Sequence, residues 1–209
     1  MSLDDLPFWN RSSHGQQRLN HEVNNGTYQG RPIIKRDSRI NGGVSLGASP
    51  REAIVVDFQY GELDRQYQPL AQAVQRNPCA HESTILLAVY RVIDRVFIKR
   101  ADKDLDFLIK KLDVKDDEKT KLDHFIRNGT GVCRHMALTA GALIERLIDE
   151  GYLTGKISVD RNDIPAGAHA WARYTSQKGE VIIIDPSLKF FGKLNDPKAC
   201  WPYARPEDK

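Results

Sequence analysis

Cys133, His169 and Asp185 come in that order along the chain, each at the edge of a differently patterned stretch. Cys133 lies in Gly129-Thr130-Gly131-Val132-Cys133-Arg134-His135, directly ahead of an amphipathic run. His169 lies in Ala168-His169-Ala170-Trp171, and Asp185 in Ile183-Ile184-Asp185-Pro186-Ser187. A thiol, an imidazole and a carboxylate are the set that nucleophilic acyl transfer needs. A free thiol titrates near about 8.5, and a helix N-terminus or a neighbouring imidazolium lowers that value by favouring thiolate. The same unpaired N–H groups can hold the oxyanion of a tetrahedral intermediate. Gly129 and Gly131 allow a sharp turn and the close approach of a substrate to Cys133.

Each residue alone has an ordinary explanation. Free cysteines are mostly inert core. A histidine between alanines is commonly a satisfied core residue, and an aspartate before proline commonly makes a turn. Together they reinforce one another. Ser176-Gln177-Lys178-Gly179 reads as a hairpin turn, and His169 and Asp185 each lie eight residues from Gln177. A symmetrical hairpin therefore predicts a direct cross-strand pair. His169 and Trp171 then share one strand face, with Ala170 and Ala172 on the other.

Two other cysteines compete poorly. Cys79, in Asn77-Pro78-Cys79-Ala80-His81, also precedes a helical stretch, but it has neither a glycine turn nor a downstream partner. Cys200 sits beside Trp201 in the tail and reads as incidental. A metal site from Cys133, His135, His169 and Asp185 is disfavoured. Cys-x-His is not a usual zinc spacing, and no CxxC or HxxxH pair supports it. On a helix His135 points about 200° away from Cys133. No metal and no cofactor is called for.

The elements that must position these residues follow from periodicity. Residues 51–209 form the expected folded domain, within a chain of 209 residues. Ile54-Val55-Val56 reads as a short strand or an apolar helical turn. A helix is expected over Gln66–Gln75, stopping at Asn77-Pro78. Apolar residues three and four apart predict a strong amphipathic helix over His81–Arg100. Shorter helices are expected over Asp104–Leu112 and Asp116–Ile126. The helix from Cys133 to about Glu150 ends at Gly151, a usual C-terminal capping residue. Strands follow at Lys156–Val159, His169–Thr175 and Glu180–Ile184. Helices followed by a small antiparallel sheet make the fold class α+β. Residues 1–50, rich in Asn, Gly, Ser, Gln and Arg, read as a poorly ordered arm or an extended wrap around the core.

Bulk composition narrows the partners. A formal charge of +3, with signs well mixed, is too weak to argue for nucleic acid. The charge-alternating stretch Lys99–Lys121 reads as a solvated helical face. No apolar run approaches the roughly 20 residues that span a bilayer, so no membrane partner is expected. Three cysteines do not make a disulfide framework. A reducing compartment is the simpler reading. No N-terminal apolar leader follows Met1. The expected location is cytoplasmic, or exported without a cleaved signal.

Gly-Val-Cys-Arg-His at 131–135, His-Ala-Trp at 169–171 and Ile-Asp-Pro-Ser at 184–187 resemble the transglutaminase-like superfamily. The resemblance covers residues 129–187, less than half the chain. It implies a papain-like core, in which a helix carrying the nucleophile packs on a small antiparallel sheet carrying His and Asp. Cys133 matches the nucleophile, His169 the general base and acid, and Asp185 the residue orienting His169. Trp171 and Arg134 are read as substrate-side residues. No side-chain oxyanion donor is assignable; the Cys133 backbone N–H is the default, with Asn128 or a glutamine of Gln66–Gln75 as alternatives. The expected function is a thiol-dependent hydrolase of amide bonds in a protein or peptide substrate, a protease or protein-glutamine deamidase. A protein transamidase and a non-catalytic binding module on the same fold are the alternatives.

Overall fold

A computed structural model describes residues 23–47, 53–59, 61–114, 118–164, 167–197 and 201–208. Among them, the long helices precede a four-stranded antiparallel sheet, which is the α+β order expected. Helix α1, Glu62–Arg76, buries Leu63, Tyr67, Leu70 and Ala71 on one face and stops at Asn77, ahead of Pro78. It begins four residues before the expected start; acidic Glu62 and Asp64 suit its positive first turn. Helix α2, Glu82–Val96, buries Ile85, Leu86, Val89, Val92 and Ile93, the three- and four-residue spacing of an amphipathic stripe. It ends short of the predicted Arg100. Residues 97–100 leave the helix to meet the glycine turn, where Ile98 and Lys99 both donate their N–H to the Gly129 carbonyl (3.0 and 2.9 Å). Helix α3 spans Asp102–Lys111.

The expected helix over 116–126 needs correction. Lys119–Lys121 form a strand and only Leu122–Asn128 are helical, as α4. Thr120 is buried between exposed Lys119 and Lys121, a period of two. The strand pairs in parallel with Ala53–Val55, so Ile54-Val55 is the strand alternative of its two readings.

Of the two readings for residues 1–50, the described part, 23–47, wraps the core. It contributes strands β1 (Thr27–Tyr28), β2 (Arg31–Pro32) and β3 (Val44–Ser45), with Tyr28, Ile40 and Val44 fully buried. β3 pairs with β4 (Ala53–Val55) through Val44↔Val55, so pairing crosses the boundary expected at residue 51. Ile40 is held from the other side. Its N–H and that of Asn41 donate to the Glu145 carboxylate (2.8 and 2.7 Å). Strand β5 is the Lys119–Lys121 segment already described.

Helix α5, Cys133–Asp149, is the central element. It closes in a Schellman motif: Tyr152 N–H donates to Leu147 O (2.8 Å) and Gly151 N–H to Ile148 O (3.0 Å), with Gly151 at φ +80. Strands β6 (Lys156–Ile164), β7 (Gly167–Thr175), β8 (Val181–Asp185) and β9 (Phe190–Lys193) pair in sequence order. β9 was not expected. Helix α5 packs on β6, β7 and β8. Ala172, Tyr174, Ile182 and Ile184 join Leu138, Leu143 and Leu147 in one apolar core. Trp171 and Ile183, on the opposite face, join Trp201 and Tyr203.

The β7–β8 register differs from the symmetrical hairpin. Ala172 pairs with Ile184 and Thr175 with Val181, a slip of two residues from the expected pairing. Asp185 therefore falls level with Trp171, and His169 is its diagonal neighbour. The five-residue connection 176–180 causes the slip: Gly179 N–H bonds Ser176 O (3.0 Å) and Ser176 N–H bonds Glu180 O (2.9 Å). A slip of two preserves which face each side chain takes, whereas a slip of one would have separated them.

Candidate active site

The turn before α5 is built by close packing. Gly129 ends α4 at φ +59, the left-handed conformation that favours glycine. Gly131 serves a different purpose from the one expected. A Cβ there would stand 2.7 Å from both the Phe97 ring and the His135 Cβ, so its missing side chain admits those two rather than a substrate. His135 is fully buried, its ring 4.2 Å from that of Phe125, and its Nδ1 accepts the Val132 N–H (3.3 Å). This is the returning half of a capping box. His135 thus faces away from Cys133, as the helical geometry predicts, and supports the turn.

Cys133 is the first residue of α5 and is half-buried. Its thiol is hydrogen-bonded to His169 and meets the backbone N–H groups of Ala170 and Arg134. His169 Nε2–H donates to Asp185 Oδ2 at 2.5 Å, which leaves Nδ1 for the sulfur. The other carboxylate oxygen, Oδ1, accepts the N–H groups of Ser187 (2.9 Å) and Leu188 (3.3 Å). Asp185 is therefore both a turn aspartate and an imidazole partner. Arg100 ties this turn to the one at 129–131: it donates to Pro186 O (2.9 Å) and Phe97 O (2.6 Å). Nothing in the local sequence pattern singled Arg100 out.

Burial opposes charge on both the thiol and the imidazole, but their partners overcome it. Burial alone pushes the Cys133 thiol up. The His169 hydrogen bond, the Ala170 N–H, the imidazole charge and the Arg134 N–H carry it below the ordinary thiol value. Burial alone pushes His169 down; the hydrogen bonds to Asp185 and Cys133 and their charges raise it to about 9. Both shifts favour a thiolate–imidazolium pair at neutral pH.

The C-terminal segment covers the imidazole, a feature sequence reasoning missed. The Tyr203 ring lies 4.8 Å from that of His169, and the Trp201 ring 6.2 Å away. Trp171 stacks nearly parallel to His169, at 13° and 6.2 Å. At 1% exposure Trp171 backs the histidine and does not line the open cleft. Two arginines clamp the segment. Arg205 grips Asp160 through Nε and Nη2 (both 2.6 Å) and Asp37 through Nη1 and Nη2 (3.0 and 2.9 Å). Arg173, on the His169 face of β7, is bidentate to Asp208 (2.6 and 2.7 Å). The aromatic-arginine run Trp201-Pro202-Tyr203-Ala204-Arg205 in an otherwise polar tail was the available signal.

A cleft of about 250 Å³ opens onto the sulfur, lined by Cys133, Arg134, Arg161, Ala168, His169 and Gly47 among others. Arg134, read as a substrate-side residue, is among the lining residues. Three of the suggested oxyanion side chains are elsewhere engaged: Asn128 donates to His124 O (2.8 Å), Gln68 to Asp64 and Gln75 to Tyr152. Cys79 is exposed, ahead of the α2 cap His81. Cys200 lies outside the described residues. Among the described residues, no group of three or more His, Cys, Asp or Glu side chains is arranged to hold a metal ion. No helix among them is long and apolar enough to cross a membrane. No protein-family model matches the chain, and neither does any curated protein or solved structure.

Proposed function

We propose that the protein is a thiol-dependent hydrolase of amide bonds in proteins or peptides, with Cys133, His169 and Asp185 as its catalytic residues. The observation that carries this reading is the chain of hydrogen bonds from the Cys133 sulfur through His169 to Asp185. It joins three residues from a helix start, a mid-sheet strand and a strand end. The helix-on-sheet arrangement also agrees with the papain-like core that the transglutaminase-like resemblance implies.

In the reaction, the Cys133 thiolate attacks the amide carbonyl carbon. Charge moves to the carbonyl oxygen, and backbone N–H groups at the start of α5 are the available donors for it. The C–N bond breaks as His169 gives its proton to the departing amine or ammonia. A thioester remains. Water then adds, losing a proton to His169, and the C–S bond breaks to release acid and restore the thiol. Asp185 holds the imidazole ring in place throughout and balances its charge. The tail residues Trp201 and Tyr203 keep the imidazole–carboxylate pair dry, where its electrostatic interaction is stronger.

Candidate protein substrates are incubated with the wild type and with Cys133→Ala and compared by mass spectrometry. Cleaved chains mark a protease, amide-to-acid conversion marks a deamidase, and cross-links mark a transamidase using an amine in place of water. An acyl-thioester adduct should form on the wild type and vanish in Cys133→Ala. An adduct undiminished in that variant would sink the proposal.

A further inference from the structure

Among the described residues, the cleft that Cys133 lines carries charge of one sign. Its charged lining side chains are Arg134 and Arg161, joined by His169 as imidazolium. No carboxylate is among the described residues lining it. Arg161 is the exposed one. Its position follows from the β6–β7 register. Arg161 stands directly opposite Ala170, and the next rung pairs Asn162 with His169. The Ala170 backbone N–H meets the Cys133 sulfur. Residues directly opposite across an antiparallel pair have their Cβ atoms about 5 Å apart, so the Arg161 side chain starts one strand spacing from Ala170, the residue whose backbone meets the sulfur, and lines the same cleft as Cys133.

Alternation along β6 keeps that charge available. Ser158 and Asp160 point to the tail face, where the Asp160 carboxylate is taken by Arg205. Arg161 takes the opposite face, the α5 side, and makes no ion pair with any described residue. Its immediate neighbour therefore does not neutralise it. An exposed guanidinium in the cleft of a reactive sulfur is a ready partner for a planar carboxylate, which it can hold through two parallel N–H donors.

We infer that this cleft selects substrates bearing a carboxylate close to the scissile amide, recognised by Arg161. The inference deepens the proposed hydrolase reading and rests on it. An acidic side chain next to the cleaved or deamidated residue, or a chain-terminal carboxylate, supplies the group. Basic neighbours are disfavoured by the same charge.

A matched pair of alkylating probes tests this without knowledge of the natural substrate. Iodoacetate and iodoacetamide are close in size and react alike: a thiolate forms a C–S bond as the C–I bond breaks and iodide leaves. Only iodoacetate carries a carboxylate. Rates at Cys133 are followed by peptide mass spectrometry at neutral pH, with exposed Cys79 in the same chain as reference. In the wild type the iodoacetate-to-iodoacetamide ratio at Cys133 should exceed that at Cys79. Arg161→Ala should lower the Cys133 ratio about fivefold, and Arg161→Glu should lower it further. Arg161→Lys should retain most of it, and salt should reduce it. If Cys133 reacts promptly but its ratio ignores Arg161→Ala and Arg161→Glu, the carboxylate inference is wrong and the hydrolase reading stands. If Cys133 in the wild type is no faster than Cys79 with either reagent, the hydrolase reading fails and this inference falls with it.

Discussion

The two faces of β7 are held in opposite ways. Toward α5, Ala172 and Tyr174 enter an apolar core with Leu138, Leu143 and Ile184. Toward the C-terminal segment, His169, Trp171 and Arg173 meet rings, carboxylates and arginines. Apolar burial is non-directional and sets how close helix and sheet stand. It brings the start of α5 to the edge of β7, and so Cys133 to His169. Directional hydrogen bonds and ion pairs on the other face set how the imidazole is turned and what surrounds it. One face delivers Cys133, and the other orients His169.

The faces should break differently. Arg205→Ala leaves Asp160, which is fully buried, without its cation. Removing one member of a buried pair costs about 3–5 kcal/mol, read by urea unfolding. Adding Asp160→Asn should recover part of that loss. A cost near zero would mean that the segment is not held by this clamp. On the α5 face, Leu143→Ala should cost about 2–5 kcal/mol from lost transfer and a residual cavity, with no rescue by any change of charge. A salt-dependent loss in Leu143→Ala would erase the distinction between the faces.

Asp185→Asn comes next and touches chemistry as well as stability. It removes the main group raising His169 against burial, so the imidazole loses its proton at lower pH. Cys133 then loses its cationic partner near neutrality, and its alkylation midpoint should move up by about one pH unit, a tenfold loss of thiolate. The stability linkage has a definite sign. The folded His169 value of about 9 lies above the ordinary 6.5. Its contribution is therefore complete below about 6.5 and is lost as pH rises through 9. Wild type and His169→Asn should differ most in melting temperature near pH 6 and converge above pH 9. A constant gap across that range would contradict the imidazolium assignment. The smallest change is Tyr203→Phe, which keeps the ring against His169 and should shift stability by less than about 0.5 kcal/mol. A large effect would place a needed hydrogen bond at its hydroxyl.

Legibility in the sequence tracked the range of the interaction. The periods of Ile85 to Ile93 and of Met136 to Leu147 marked helices whose buried faces are those residues. Gly151 marked the end of α5 because a left-handed cap is a local requirement. The alternation His169, Trp171 against Ala170, Ala172 assigned the faces of β7 correctly. Lys119–Lys121 misled, because only Thr120 of the three favours a strand, and the segment reads as helix until Ala53–Val55 lies alongside. The hairpin register slipped by two because the turn uses five residues, and turn geometry is finer than turn composition.

From the sequence alone came the three candidate catalytic side chains, their order, and the parity that puts His169 and Asp185 on one face. Those follow from residue chemistry and from periods of two and 3.6, which neighbouring residues impose on one another. The tertiary structure decided the rest. It wrapped residues 23–47 onto α5, laid Trp201 and Tyr203 over the imidazole, and brought Arg161 and Arg134 into the cleft that Cys133 lines. Arg205 and Asp37 are 168 residues apart. A pairing of that kind exists only once packing has paid the entropy of bringing distant segments together, and no local pattern records it.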